Sequence, residues 1–149
     1  MKELILKAIE DFDKLLSLLE NKEESKIGGS FRARCRELPS LIEDVGFVPA
    51  LSFCYAKATK DVYENIRKLI ESKSTIKDGD STKQGYGIYL YLVLKRLKTL
   101  GLVKLDLNKP INILGELMEK ERLASKLIRP YIVQLKRLSE AVFKIEGEG

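Results

Sequence analysis

Apolar residues recur at helical spacing almost from the first residue. Leu4, Ile5, Ala8, Ile9, Phe12, Leu15, Leu16 and Leu19 step by threes and fours, the period of an amphipathic helix. Asn21 and the polar run to Ser25 close it. Ile27-Gly28-Gly29-Ser30 reads as a loop, with Ser30 as the N-cap of the second helix. Phe31, Cys35, Leu38, Ile42 and Val45 form one stripe of that helix, which ends at Gly46. Pro39 falls inside the stripe and is expected to kink or divide it. Pro49 suits the first turn of a third helix, with Leu51, Cys54, Tyr55 and Ala58 turned inward. Val62 to Ile70 either continues it or makes a fourth.

Residues 72–85 are polar, contain Gly79 and Gly85, and predict a flexible loop. Tyr86 to Leu100 is apolar nearly all round until Lys95, the pattern of a buried central helix, and Gly101 is its cap. Leu102 to Leu107 alternates weakly and predicts a short extended segment. Pro110 opens a short helix through Met118, and Glu121 starts the last long helix, with Pro130 a point of weakness. Its stripe is Ile128, Tyr131, Leu135, Leu138, Val142 and Ile145. Residues 146–149 are expected to fray. The prediction is an all-α fold: a single-domain compact bundle of about six or seven helices over residues 1–149.

Size and composition agree. The 149 residues are enough for one core and too few for two ordinary domains. Hydrophobic residues at 44% exclude a disordered chain. The net charge of +5 conceals an asymmetry. Residues 1–24 carry four lysines against seven acidic side chains; residues 83–137 carry twelve basic against four acidic. A basic C-terminal half suggests an anionic surface partner, nucleic acid first. Ordinary solvation of helix faces is the alternative.

Catalytic chemistry is scarce. There is no histidine, which removes the usual general base and the serine and cysteine triads that depend on it. Cys35 and Cys54 are the only cysteines and form no paired zinc motif. Asp78-Gly79-Asp80-Ser81 faintly resembles the start of a calcium loop, but Tyr89 stands where the closing Glu belongs. The expectation is no enzyme activity, no cofactor and no metal. No signal-like leader and no membrane-length apolar run are visible. A cytoplasmic protein with reduced thiols and no membrane partner is therefore expected.

The positive features are cation arrays. On the last helix Lys126, Arg129, Lys136, Arg137 and Lys144 fall within about 100° of one another, opposite the apolar stripe, and only Glu140 interrupts the band with opposite charge. Like charges on one face repel, and a phosphate backbone would relieve that repulsion. On the second helix Arg32, Arg34 and Arg36 lie within five residues, although Arg34 has Glu37 as a rival partner one turn on. Lys95, Arg96 and Lys98 cluster where cations also complement a helix C-terminus.

The segment from Phe31 to Ala58 resembles the small helical subunit of the type III-B CRISPR effector, the Cmr complex. The resemblance rests on Phe31 followed by Arg32, Arg34 and Arg36, then Leu38-Pro39-Ser40-Leu41-Ile42, Gly46 and Ala56-Lys57-Ala58. Gly85-Tyr86-Gly87-Ile88-Tyr89-Leu90 and the basic helix Tyr131 to Lys144 match more loosely, and the Trp often found in the latter is missing. The resemblance implies a subunit without catalysis. Its copies would stack with each other and with the large polymerase-like subunit as a minor filament. Lys57 joins the expected RNA-facing set, and the guide and target RNA would be held by their backbones.

Two other readings compete. Leu92 to Val103 resembles the helix-to-wing junction of a winged-helix DNA-binding regulator, but Asn108-Lys109-Pro110 leads away from the second strand a wing needs. A structural adaptor whose basic faces meet acidic proteins is the third.

Overall fold

α5 (Ser81–Thr99) is the axis of the molecule, because an apolar side chain faces outward in almost every direction from it. Gln84 through Leu94 are buried without interruption, and Arg96 and Leu97 are buried beyond them. The structure, a computed structural model, describes residues 1–147. Around α5 pack α2 (Lys26–Val45), α3 (Phe47–Ala58), α4 (Lys60–Glu71) and α7 (Glu121–Val142). α1 (Lys2–Leu18) lies against α7, and α6 (Pro110–Leu117) against α3. Two 3-10 turns, Lys22–Glu24 and Met118–Lys120, join the longer elements. No strand occurs among the described residues, so the second strand of a wing is not there.

Several boundaries differ from the sequence expectation, each for a packing reason. The Gly28-Gly29 segment is helix, not loop: α2 begins at Lys26 with Ser25 as N-cap, its Oγ accepting from Gly28 N at 3.1 Å. A Cβ on Gly28 would lie 2.3 Å from the Phe143 ring, so this glycine exists to let the end of α7 close on α2. A Cβ on Gly85 would lie 2.0 Å from Ser30 Oγ, which fixes the close crossing of α2 and α5. Pro39 and Pro130 divide neither α2 nor α7. Each forgoes the rung its ring nitrogen cannot donate, and burial of the surrounding stripe outweighs that loss.

α3 and α4 are separate helices, parted at Thr59 with φ 71. The expected loop at 72–85 ends earlier, because α5 starts at Ser81 under an Asp80 cap that accepts from Lys83 N. Residues 72–80 are tied down. Ile76 is buried and exchanges backbone hydrogen bonds with the end of α1, Ile76 N to Leu18 O and Glu20 N to Ile76 O. The Asp78 carboxylate accepts from Asn21, Ser25 and the Ile27 amide, so Asp78 and Asp80 serve as helix-end anchors. Leu102 to Leu107 is not extended into a strand; the Glu116 carboxylate takes the Lys104 and Leu105 amides instead. Of the tail expected to fray, Glu146 reaches back to Arg34, and residues 148 and 149 lie outside the described residues.

Candidate nucleic-acid interface

The structure sorts the expected cations by environment. Arg34 is turned inward, 6% exposed. Its guanidinium lies 4.3 Å over the Tyr86 ring, 3.1 Å from Glu146 Oε1, and its Nε is 2.9 Å from Glu37 Oε1. Tyr86 donates its hydroxyl to Glu37 at 2.8 Å. Burial and that acceptor push the Tyr86 phenol up to about 12, so it remains a donor at neutral pH. Arg96 is turned inward as well, at 8% exposed. Its Nη2 donates to Asp11 Oδ2 at 2.7 Å and its Nη1 to Thr99 Oγ1 at 3.0 Å. Tyr131 donates to the same Asp11 oxygen at 2.6 Å, with Arg96 5.5 Å above its ring. Burial opposes the charge on Arg96, but the hydrogen bond to Asp11 and its negative charge prevail and hold its pKa above the ordinary value. Both arginines are internal ties.

The remaining cations stay at the surface, and the largest group lines one seam. α2 and α7 run antiparallel. Gly28 meets Phe143, Cys35 lies beside Ser139, and Glu43 lies 3.6 Å from Arg129. Ala124, Ile128, Tyr131, Ile132, Leu135 and Ser139 are the buried side of α7. Lys126, Arg129 and Arg137 are exposed and Lys136 is half-buried on the other side. Across the seam, Arg32 and Arg36 share the flank of α2 that carries Glu43. Arg32 Nε is buried without a hydrogen-bond partner. Only the loose, exposed Arg129–Glu43 pair neutralises any of these six within 4 Å among the described residues. From Lys126 to Arg137 the array runs about 16 Å along the axis.

Lys57, Lys95 and Lys98 are not brought onto this array. Lys57 stands on α3 with its Nζ 5.5 Å over the Phe53 ring. Lys95 borders a cleft between α1, α4 and α5. Lys98 lies 3.7 Å from Asp106. Conversely, Arg122 is exposed and lies four residues before Lys126 on the same face. Its spacing was legible, but its place at the start of the helix hid it. Cys35 and Cys54 are free and buried. Burial pushes both thiols up, Cys54 to about 12, so neither is a nucleophile at neutral pH. No helix is long and apolar enough to cross a membrane among the described residues.

Known proteins share both sequence and backbone with this chain. The family model for the CRISPR-associated protein Cas_Cmr5 matches residues 8–90. Over 147 residues the chain is 27% identical to the CRISPR system CMR subunit Cmr5 of Saccharolobus solfataricus, covering 93% of this chain and 92% of that one. Its backbone is similar to a subunit in the cryo-EM structure of the Type III-B Cmr-beta bound to cognate target RNA and AMPPnP. The TM-score is 0.80 at 25% identity, covering 96% of this chain and 97% of the other. A chain of the Cmr-beta complex bound to non-cognate target RNA shares the fold, with TM-score 0.75 at 24% identity and 95% coverage of each.

Proposed function

This chain belongs to the Cas_Cmr5 family of CRISPR-associated proteins, and from that premise we propose that it is a non-catalytic subunit of a cytoplasmic type III-B effector ribonucleoprotein. In this reading its copies stack as a minor filament beside the large polymerase-like subunit and the other Cmr subunits. The α2–α7 seam holds the guide–target RNA by its phosphates. The observation that carries the RNA contact is the array itself: among the described residues, none of Arg32, Arg36, Lys126, Lys136 and Arg137 on the two helices of the seam lies within 4 Å of a carboxylate, and Glu140 is the one acidic side chain within the cation band of α7. The structural relatives come from assemblies described as bound to target RNA.

Contact of this kind is backbone contact. It tolerates any sequence and weakens steeply with salt, because each neutralised phosphate releases counterions. A paired RNA presents phosphates and 2′-hydroxyls rather than readable base edges, which suits flexible cations on helices. The non-catalytic reading rests on the absence of histidine and on two thiols held protonated by burial.

The test is reconstitution of the effector with Arg36→Glu/Lys136→Glu/Arg137→Glu. Assembly and helix content are expected to persist, while target-RNA retention falls and its salt dependence flattens by roughly two units on a logarithmic scale. Unchanged retention would transfer the chain to the adaptor reading, with its cations meeting protein.

A further inference from the structure

A cleft of about 460 Å³ opens between α1, α4 and α5. Leu15 and Leu18 of α1, Ile70 of α4 and Leu92 of α5 make its walls aliphatic. Two carboxylates border it, and both are engaged inside the fold. Asp11 holds Arg96 and Tyr131; Glu71 holds Arg67 and the Tyr91 hydroxyl. Three lysines border it too, Lys14, Lys73 and Lys95, and none is among the ion pairs of the described residues. Lys73 also stands at φ 55, at the turn that ends α4. Glycine is the favoured residue for that backbone, so a lysine there sacrifices local stability for a cation at the rim.

An apolar floor beneath unpaired cations selects an apolar body that carries negative charge. Nucleic acid would suit the lysines but not the walls, because bases stack on open aromatic faces and the Tyr91 ring is buried. The chain carries the complement on its own surface. The outer face of α1 exposes Leu6 (52%) and Ile9 (43%) among Glu3, Glu10 and Asp13, with Lys2 on the same face and Glu10 loosely paired to Lys7 at 3.5 Å, so the face is acidic on balance. The exposed Met118, Leu123 and Leu127 sit instead beside Lys120, Arg122 and Lys126.

We propose that the outer face of α1 on one copy seats in the α1–α4–α5 cleft of the next, apolar side chains on apolar walls and carboxylates against Lys14, Lys73 and Lys95. This assigns surfaces to the proposed filament stacking and rests on that reading. Ridge and cleft are different patches, so the contact is heterologous and can repeat without closing, as a filament requires. The five apolar and acidic ridge residues are few beside the roughly 20–30 a side of a stable interface. Free copies therefore associate weakly, and tethering within the assembly raises the effective concentration.

The test mixes two variants of the full chain, one with Ile9→Cys and one with Lys73→Cys, and joins them with a short bismaleimide. The native thiols are buried and stay silent. The Ile9–Lys73 cross-link is expected several-fold above that between Ile9→Cys and Arg137→Cys. It is expected to vanish with Lys14→Glu/Lys95→Glu and to return when the partner carries Glu10→Lys/Asp13→Lys. Equal yields at both sites, or a cross-link indifferent to charge reversal, would overturn the proposal. RNA retention by the same variants separates the two ideas. Retention without a preferred cross-link removes this contact and leaves the RNA seam, whereas a preferred cross-link without retention does the reverse.

Discussion

Arg96 at the junction of α1, α5 and α7 and the cations along the α2–α7 seam carry the same unit charge in opposite solvation. Arg96 has Asp11 at 2.7 Å, Thr99 at 3.0 Å and the Tyr131 ring for a wall. Arg36, Lys126 and Arg137 are exposed and have water. A buried ion costs several kcal/mol to desolvate and is tolerated only with its partners in place. An exposed one is nearly free for the fold to keep or lose. Charge density along the chain therefore says little about which arginine touches a partner. Arg34 lies between the extremes, buried itself but tied to carboxylates that remain partly in water.

This contrast orders the expected effects. Arg96→Ala leaves Asp11 buried beside Tyr131 without its counter-charge, and is expected to cost about 3–5 kcal/mol of unfolding free energy. Denaturant melts of Asp11→Leu/Arg96→Met will sharpen the point if the double change costs less than either single one, because no stranded charge remains. Arg34→Met releases Glu37 and Glu146 toward solvent and is expected to cost about 2 kcal/mol, readable as a lower midpoint with the same slope. A loss as large as at Arg96 would break the distinction.

Alkali probes the buried side without mutation. Cys54 and Tyr86 both have raised folded-state values near 12, so the fold favours their neutral forms. Their contribution is fully present below the unfolded values of about 9 and 10 and is lost as pH climbs toward 12. Thermal midpoints are expected to hold between about pH 6 and 8, where no histidine titrates, and to fall above about pH 9. Smallest of all, Arg36→Glu, Lys126→Glu and Arg137→Glu are each expected to move stability by no more than about 0.5 kcal/mol.

The sequence carried the helices because periodic burial is a local property. Of the stripe on the second helix, Phe31, Cys35 and Leu38 proved buried, Ile42 half-buried and Val45 exposed, and α5 proved central. It misread Gly28-Gly29 and Gly85 as loop because glycine signals a turn and a close helix crossing with the same absence of a side chain. Pro39 and Pro130 raised the expectation of a division because the rule for proline is local, whereas the stripes that keep α2 and α7 continuous through them are buried by distant partners.

The helical period, the lack of histidine and the uneven distribution of charge can all be read from residue order alone, because residue identity and period are written along one dimension. The packing of distant segments makes Arg34 and Arg96 internal ties and leaves Arg36, Lys126 and Arg137 exposed, in no ion pair among the described residues. The reason is that a cation's role depends on which carboxylate or solvent lies within a few ångströms. Asp11 and Arg96 are 85 positions apart, and Arg34 and Glu146 are 112 apart, distances that no local pattern can span.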